Sequence, residues 1–286
     1  MGYSAITVIG NGSFLISCLK LVKESTSCQL KCIEPEKKDF SSLESFCRTS
    51  KIEYQLLDSR KALHNYFEAI DINTLVLSIH NSYIFSKQAI ANKHIRIINF
   101  HNSLLPQHPG RNAPTWAIFE MEEKAGITWH EVVPAIDKGD IICQRSIPLN
   151  SDMTGMSLTR ACVQLGLNSF KEILNSLIND NYVKLPQTYD EHIKMHYSYE
   201  VPNDGIFEKS WPVKKMSAFL RSLDYGGFPI FAKPKVFHNQ LWHSIDKYVI
   251  NAFSDEAVAL ASKETDTLTF QDKELSVQLY IKPLHS

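Results

Sequence analysis

No apolar run in the chain approaches the roughly 20 residues that a membrane-crossing helix needs. The opening residues, MGYSAITVIGNGSFL, also lack a basic leader, a long apolar segment and a small-residue cleavage site. Both absences lead us to expect a cytoplasmic protein with no membrane partner. An excess of one charge is missing too, because 30 Lys plus Arg face 31 Asp plus Glu, for a formal net charge of −1. That balance supplies no global field for gripping a polyanion, so nucleic acid is a poor default partner. The six cysteines (Cys18, Cys28, Cys32, Cys47, Cys143 and Cys162) form no paired CxxC motif and lie mostly in apolar segments. A disulfide framework and a zinc centre are both disfavoured, and no metal site is read. The closest pair, Cys28 and Cys32, reads as two thiols in or beside a strand. There is also no internal repeat and no low-complexity tract.

What is present is an ordinary globular composition, 44% hydrophobic and 21% charged over 286 residues, enough for a substantial core in one domain or two unequal ones. Short apolar runs at Ala5 to Ile9, Gln29 to Ile33, Glu53 to Leu57, Thr74 to Ile79 and Ile95 to Phe100 predict strands. Helical patterns fall between them, near 13–24, 40–50, 59–70 and 85–92. This alternation predicts an α/β, Rossmann-like domain with a parallel sheet, whose chemistry belongs beyond the carboxyl ends of the strands. After a long loop at 101–111 we expect a helix near 113–123, a strand near 126–133, a turn at Asp137 to Gly139 and a strand near 140–147. Thr154 is placed to cap a further helix with an apolar stripe through Leu158, Cys162, Leu165, Ile173, Leu174 and Leu177. From about 185 the sequence turns rich in proline and glycine. Paired strands follow, Phe231 to Phe237 with Leu241 to Ile250, and Thr267 to Phe270 with Leu275 to Ile281. We therefore expect a catalytic domain over 1–195 and a small, mainly β domain over 203–286, with the boundary near 190–205.

The first glycine turn, Ile9-Gly10-Asn11-Gly12-Ser13, joins a strand to a helix but lacks the third glycine of a dinucleotide fingerprint. Glu34 alone is weak support, so a tight turn is the simpler reading. More informative is Ile98-Asn99-Phe100-His101-Asn102-Ser103-Leu104-Leu105-Pro106. Side chains at i and i+2 of a strand share a face, so Asn99 and His101 converge while Phe100 turns to the core. Asp137 sits in a turn between two later strands, and if those strands lie near the first it can pair with His101 and orient the imidazole. Spacing alone makes this constellation a candidate and no more.

The strings INFHNSLLP (98–106), GITWHEV (126–132) and AIDKGDIICQ (135–144) resemble the folate-dependent formyltransferases, in which Asn-x-His-x-Ser-Leu-Leu-Pro is followed some 35 residues later by Asp in a turn ending Gly-Asp. The likeness covers roughly 1–190. A weaker one over 203–286 is similar to the small C-terminal β domain of methionyl-tRNA and amino-sugar formyltransferases, through Asp204-Gly205-Ile206 and Trp211-Pro212. The resemblance implies 10-formyltetrahydrofolate as cosubstrate, a primary amine as acceptor, and Asn99, His101 and Asp137 as the catalytic trio. Asp140, three residues on, is the rival carboxylate and ranks behind Asp137. For the folate the resemblance implies Tyr83, Ile84 and Phe85 on one side and Val133, Ala135, Ile136, Gly139 and Asp140 on the other. It implies Asn102, Ser103 and His130 for the substrate. Ser82-Tyr83 departs from the family, which often has a glycine just before the Ile84-like position. Trp129-His130 and Asn112 to Trp116 look somewhat like formyltransferases of peptide-synthetase assembly lines. The acceptor classes left open are a nucleotide-linked amino sugar and a free or carrier-bound amino acid. Methionyl-tRNA formyltransferase, formyl-folate hydrolase and a catalytically silent binding module are the competing readings. The first is opposed by the balanced charge, and the last by the complete trio.

Overall fold

The computed structural model describes residues 2–36, 41–188, 190, 192–228, 230–252 and 266–284. Over the first hundred residues the strand and helix patterns fold in the order read: β1 (Ala5–Gly10), α1 (Gly12–Ser25), β2 (Gln29–Glu34), α2 (Ser42–Ser50), β3 (Glu53–Leu56), α3 (Arg60–Glu68), β4 (Thr74–Ile79), α4 (Lys87–Ala91) and β5 (Ile95–His101). Serines start three of these helices. The Ser41, Ser59 and Ser86 side chains accept from the backbone N–H of Glu44, Ala62 and Ala89, satisfying donors that the first helical turn leaves without a partner. All six residues of β1 and of β4 are buried, as expected of strands covered on both faces.

The chain continues through α5 (Ala113–Phe119), β6 (Lys124–Glu131), β7 (Ile141–Pro148) and α6 (Gly155–Ile178). Thr154 caps α6, its Oγ1 accepting from Ser157 N at 3.2 Å while Ser157 Oγ accepts from Thr154 N at 2.8 Å. The main sheet runs β3-β2-β1-β4-β5-β6-β7. Its first five strands are parallel, but β6 pairs antiparallel with β5, so the sheet is mainly and not wholly parallel.

Cα proximity divides the chain into two compact units, one of 1–110, 126–147 and 161–195, the other of 111–125, 148–160 and 196–286. In the first unit one sheet face buries Ile9, Ile33, Leu63, Phe67, Val76, Phe85 and Ile97. A second aromatic group gathers Phe14, Phe100, Trp129 and Phe170, with Phe100 4.7 Å from Phe14 and 5.0 Å from Trp129 between ring centroids. Gly166 of α6 makes this possible, because a Cβ there would lie 2.4 Å from the Phe100 ring. The Gly10 turn is likewise steric: φ is +141° and a Cβ would stand 1.7 Å from the Ile79 carbonyl oxygen, so β1 ends against the backbone of β4.

The second unit contains a 3₁₀ turn at Pro202–Gly205, β8 (Ile206–Phe207), α7 (Val213–Ser222), β9 (Lys235–His238), β10 (Leu241–Ala252), β11 (Asp266–Gln271) and β12 (Leu275–Pro283), in a sheet ordered β11-β12-β10-β9-β8. Its core holds Phe207, Met216, Phe219, Leu220, Val236, Ile245, Val277, Leu279 and Ile281. Two expectations change here. The turn-rich stretch conceals α7, which starts straight after Pro212; the proline is the N-cap, in extended backbone where the helix needs no N–H from it. The strand expected from Phe231 begins only at Lys235, after Pro234, which has no N–H for the ladder. At the β9–β10 turn Asn239 and Gln240 both have positive φ, the geometry of a tight two-residue hairpin. All six cysteines are free thiols. No helix among the described residues is long and apolar enough to cross a membrane.

Candidate active site

The carboxyl end of β5 carries the site. Register pairs Ser78 of β4 with Asn99 of β5, and Asn99 with His130 of β6, so three polar side chains form a row across three strands. Ser78 Oγ donates to Asn99 Oδ1 at 2.8 Å, and Asn99 Nδ2 lies 3.1 Å from His130 Nε2. His130 Nδ1 lies 2.8 Å from the Glu131 carbonyl oxygen, which can only accept. The proton of the His130 ring is therefore on Nδ1, and Nε2 accepts from the Asn99 amide. His130 is neutral at physiological pH, because burial pushes its pKa down to about 4 against the smaller opposing pull of Asp137.

His101 is held from the other side. Its Nε2 is 2.9 Å from the His108 carbonyl oxygen, so Nε2–H donates there, and the neutral tautomer this contact selects has a bare Nδ1. Asp137 stands between the two imidazoles, with Oδ2 3.7 Å from His101 Nδ1 and Oδ1 3.6 Å from His130 Nε2. Both gaps exceed hydrogen-bond length, so the carboxylate faces both rings without being hydrogen-bonded to either.

The turn bearing Asp137 is tightly built. Asp137 has φ of +54°, and its Oδ2 accepts from the Gly110 backbone N–H at 2.7 Å. Gln187 Nε2 donates to the carbonyls of Asp137 (2.9 Å) and Gly139 (2.6 Å). Gly139 packs so closely on β6 that a Cβ would lie 1.8 Å from the Glu131 carbonyl oxygen. Burial raises the pKa of Glu131, but hydrogen bonds from Lys184 and Tyr182, each 2.8 Å, together with nearby Arg96, bring it below the ordinary carboxylate value.

The remaining candidates distribute unevenly. Asp140 turns from His101 toward Lys184, with Oδ2 3.7 Å from its Nζ. Ser103 is committed to the loop, its hydroxyl donating to Gln107 O at 2.6 Å while its carbonyl accepts from Thr128. Asn102 Oδ1 is buried with no hydrogen-bond partner among the described residues. Tyr83 and Phe85 join the aromatic cluster around Phe67, whereas Ile84 between them is 57% exposed. Ala135 and Ile136 are exposed, and Val133 is half-buried. Trp129, paired with His130 in sequence, faces the opposite way into the core, where its Nε1 donates to Ser169 at 3.1 Å. In the second unit Trp116 stacks on His196 at 4.2 Å. Sequence reasoning missed Ser78, Asn81 and Gln187. Ser78 stands about 20 residues before the motif it touches, Asn81 reaches that motif only through Ser78, and Gln187 lies some 50 residues beyond the turn it braces, so no local pattern marks them.

Comparison with known proteins gives the family and the fold. Residues 9–174, more than half of the chain, match the family model described as formyl transferase. The chain belongs to the formyl transferase family and is an enzyme of one-carbon formyl transfer. Among solved structures it is similar to an N-formyltransferase from Helicobacter canadensis in complex with folinic acid and dTDP-3-aminofucose, at 17% identity over 97% of this chain and 99% of that one, with a TM-score of 0.74. It is similar to WlaRD, a sugar 3N-formyl transferase in the presence of dTDP and 5-N-formyl-THF, at 18% identity over 98% of each chain and a TM-score of 0.72. A phosphoribosylglycinamide formyltransferase from Anaplasma phagocytophilum matches at 22% identity over 68% of this chain and 98% of that one, with a TM-score of 0.54.

Proposed function

We propose that this enzyme transfers the formyl group of 10-formyltetrahydrofolate to the primary amine of a nucleotide-linked amino sugar, with Asn99, His101 and Asp137 as its catalytic residues. The observation that carries the chemistry is the fixed Asn99 amide. Its oxygen is taken by Ser78 and one N–H by His130, which leaves the second N–H for the oxygen of the reacting formyl group. The amine lone pair attacks the formyl carbon and the carbonyl π electrons move to oxygen, where the Asn99 N–H meets the new negative charge. Collapse breaks the bond to the folate nitrogen. The proton shed by the attacking nitrogen reaches that leaving nitrogen through the Asp137 carboxylate and the bare His101 Nδ1, which face the same space. The products are a formamide and tetrahydrofolate.

Exposed Ile84 and Ile136 offer apolar surface to the pterin ring, and the partnerless Asn102 Oδ1 offers an acceptor to a substrate N–H or O–H. Tyr83 and Phe85 support Ile84 from the core. The domain over 1–195 carries this chemistry in our reading, and 203–286 is the accessory β domain. The choice of amino sugar over amino acid rests on extent of likeness. The two sugar formyltransferases match over nearly the full length of this chain, C-terminal sheet included, whereas the glycinamide ribonucleotide enzyme matches over 68% of it.

The test is a panel of amines incubated with 10-formyltetrahydrofolate and read by mass spectrometry for the gain of one formyl group. The panel contains dTDP-linked 3-amino and 4-amino sugars, free and carrier-bound amino acids, and aminoacylated initiator tRNA. Formylation of the sugar nucleotides is the expected result. Formylation of the amino acids or the tRNA alone would overturn the acceptor assignment.

A further inference from the structure

We propose that Ser78 and Asn81, which lie outside the catalytic trio, are positioning residues that fix the direction of the Asn99 amide. This rests on the reading of Asn99 as the donor to the developing oxyanion. A carboxamide has nearly the same shape with its oxygen and nitrogen exchanged, so packing alone holds it poorly to one orientation. The reversed amide would aim an oxygen lone pair at the developing negative charge and turn a stabilising contact into a repulsive one.

The hydrogen bonds around Asn99 run in one direction. Asn81 Oδ1 accepts from the backbone N–H of Tyr83 at 3.0 Å, which fixes the Asn81 amide because a backbone N–H can only donate. Asn81 Nδ2 is then the donor to the Tyr83 carbonyl and to Ser78 Oγ, both at 3.2 Å. The buried Ser78 hydroxyl accepts that hydrogen on one of its two lone pairs and gives its own to Asn99 Oδ1 at 2.8 Å. From the other end, the Glu131 carbonyl at 2.8 Å can only accept, so the His130 proton is on Nδ1, Nε2 accepts, and Asn99 turns Nδ2 to it and Oδ1 to Ser78. Two backbone groups, Tyr83 N–H at one end and Glu131 C=O at the other, anchor the row. The direction set at the Glu131 end is the one that gives the Ser78 hydrogen an acceptor in Asn99 Oδ1.

Removing the Ser78 hydroxyl leaves the Glu131 end in place, so the lock is weakened and not abolished. For Ser78→Ala we expect kcat to fall roughly tenfold, less than the loss of an oxyanion donor itself, with both KM values within about twofold of wild type. Asn81→Asp is the sharper probe, since it keeps the side-chain shape but puts an acceptor where Nδ2 was. The Ser78 hydrogen then turns to the new carboxylate, and a similar fall in kcat is expected. Ser78→Thr, which keeps the hydroxyl, should recover most of the activity lost in Ser78→Ala. Imidazole ¹⁵N spectra, with the His130 signal identified by its loss in His130→Gln, should show the proton on Nδ1 in wild type and a mixture of tautomers in Ser78→Ala. Wild-type kcat in both Ser78→Ala and Asn81→Asp, or a wild-type His130 carrying its proton on Nε2, would overturn the inference. The spectra decide it independently of turnover, so an enzyme that formylates no amine in the panel would defeat the proposed function and leave this inference to stand or fall on the His130 tautomer.

Discussion

Acidifying the protein from pH 7 to pH 5 should cost stability through His130. Its folded pKa of about 4 lies below the ordinary imidazole value of about 6.5 that the unfolded chain recovers, because the folded ring is fully buried. Between those two values the unfolded state binds the extra proton, so the contribution is fully present above pH 6.5 and is lost as pH falls toward 4. Integrating proton binding with these values gives a loss of about 2 kcal/mol between pH 7 and pH 5. Against a typical domain stability of about 5–15 kcal/mol, this shift is large enough to measure. The assay is urea unfolding of wild type and of His130→Gln at both pH values. Ionisable groups distant from His130 contribute to both proteins and cancel in the double difference, leaving His130 and its interaction with Asp137 and His101. Wild type should lose about 2 kcal/mol more than the variant over this range. An equal loss in the two proteins, or a His130 ring that titrates near 6.5 by NMR in the folded wild type, would refute the reasoning.

Asn99→Ala and His101→Ala should each lower turnover by roughly a hundredfold or more with the fold retained, as judged by steady-state kinetics beside circular dichroism. Asp137→Asn should lower kcat/KM far more than Asp140→Asn, because Asp137 stands between the two imidazoles while Asp140 faces Lys184. Gly139→Ala should reduce both thermal stability and kcat, since the added methyl meets the Glu131 carbonyl and must displace the turn that holds Asp137; unchanged values in both measurements would count against that packing. Phe170→Ala, which removes the ring stacked at 4.9 Å on Trp129, should destabilise by about 3–5 kcal/mol in denaturant unfolding while the KM values stay near wild type.

The central strands β1 and β4 were legible because strands buried on both faces must be nearly all apolar, and the strands beside them followed from their regular alternation with helices that show a buried face. Asn99 and His101 were legible as a pair for a local reason: two-residue spacing on a strand places side chains together whatever the surrounding fold. Asp137 was legible as a turn residue, and only its resemblance to a family pattern tied it to His101. The tertiary structure decided what depends on neighbours distant in sequence. It made β6 antiparallel to β5, which brings His130 opposite Asn99, and it started α7 inside a stretch whose prolines suggested only turns. It drew Tyr83 and Phe85 into the core, leaving Ile84 outside, because successive side chains cannot all face one crevice. The direction of the Asn99 amide shows the same division. The sequence by itself determines that an amide and an imidazole share a strand face, while the orientation of the amide follows from Ser78 on one neighbouring strand and His130 on the other, and only sheet pairing brings those two side chains to it.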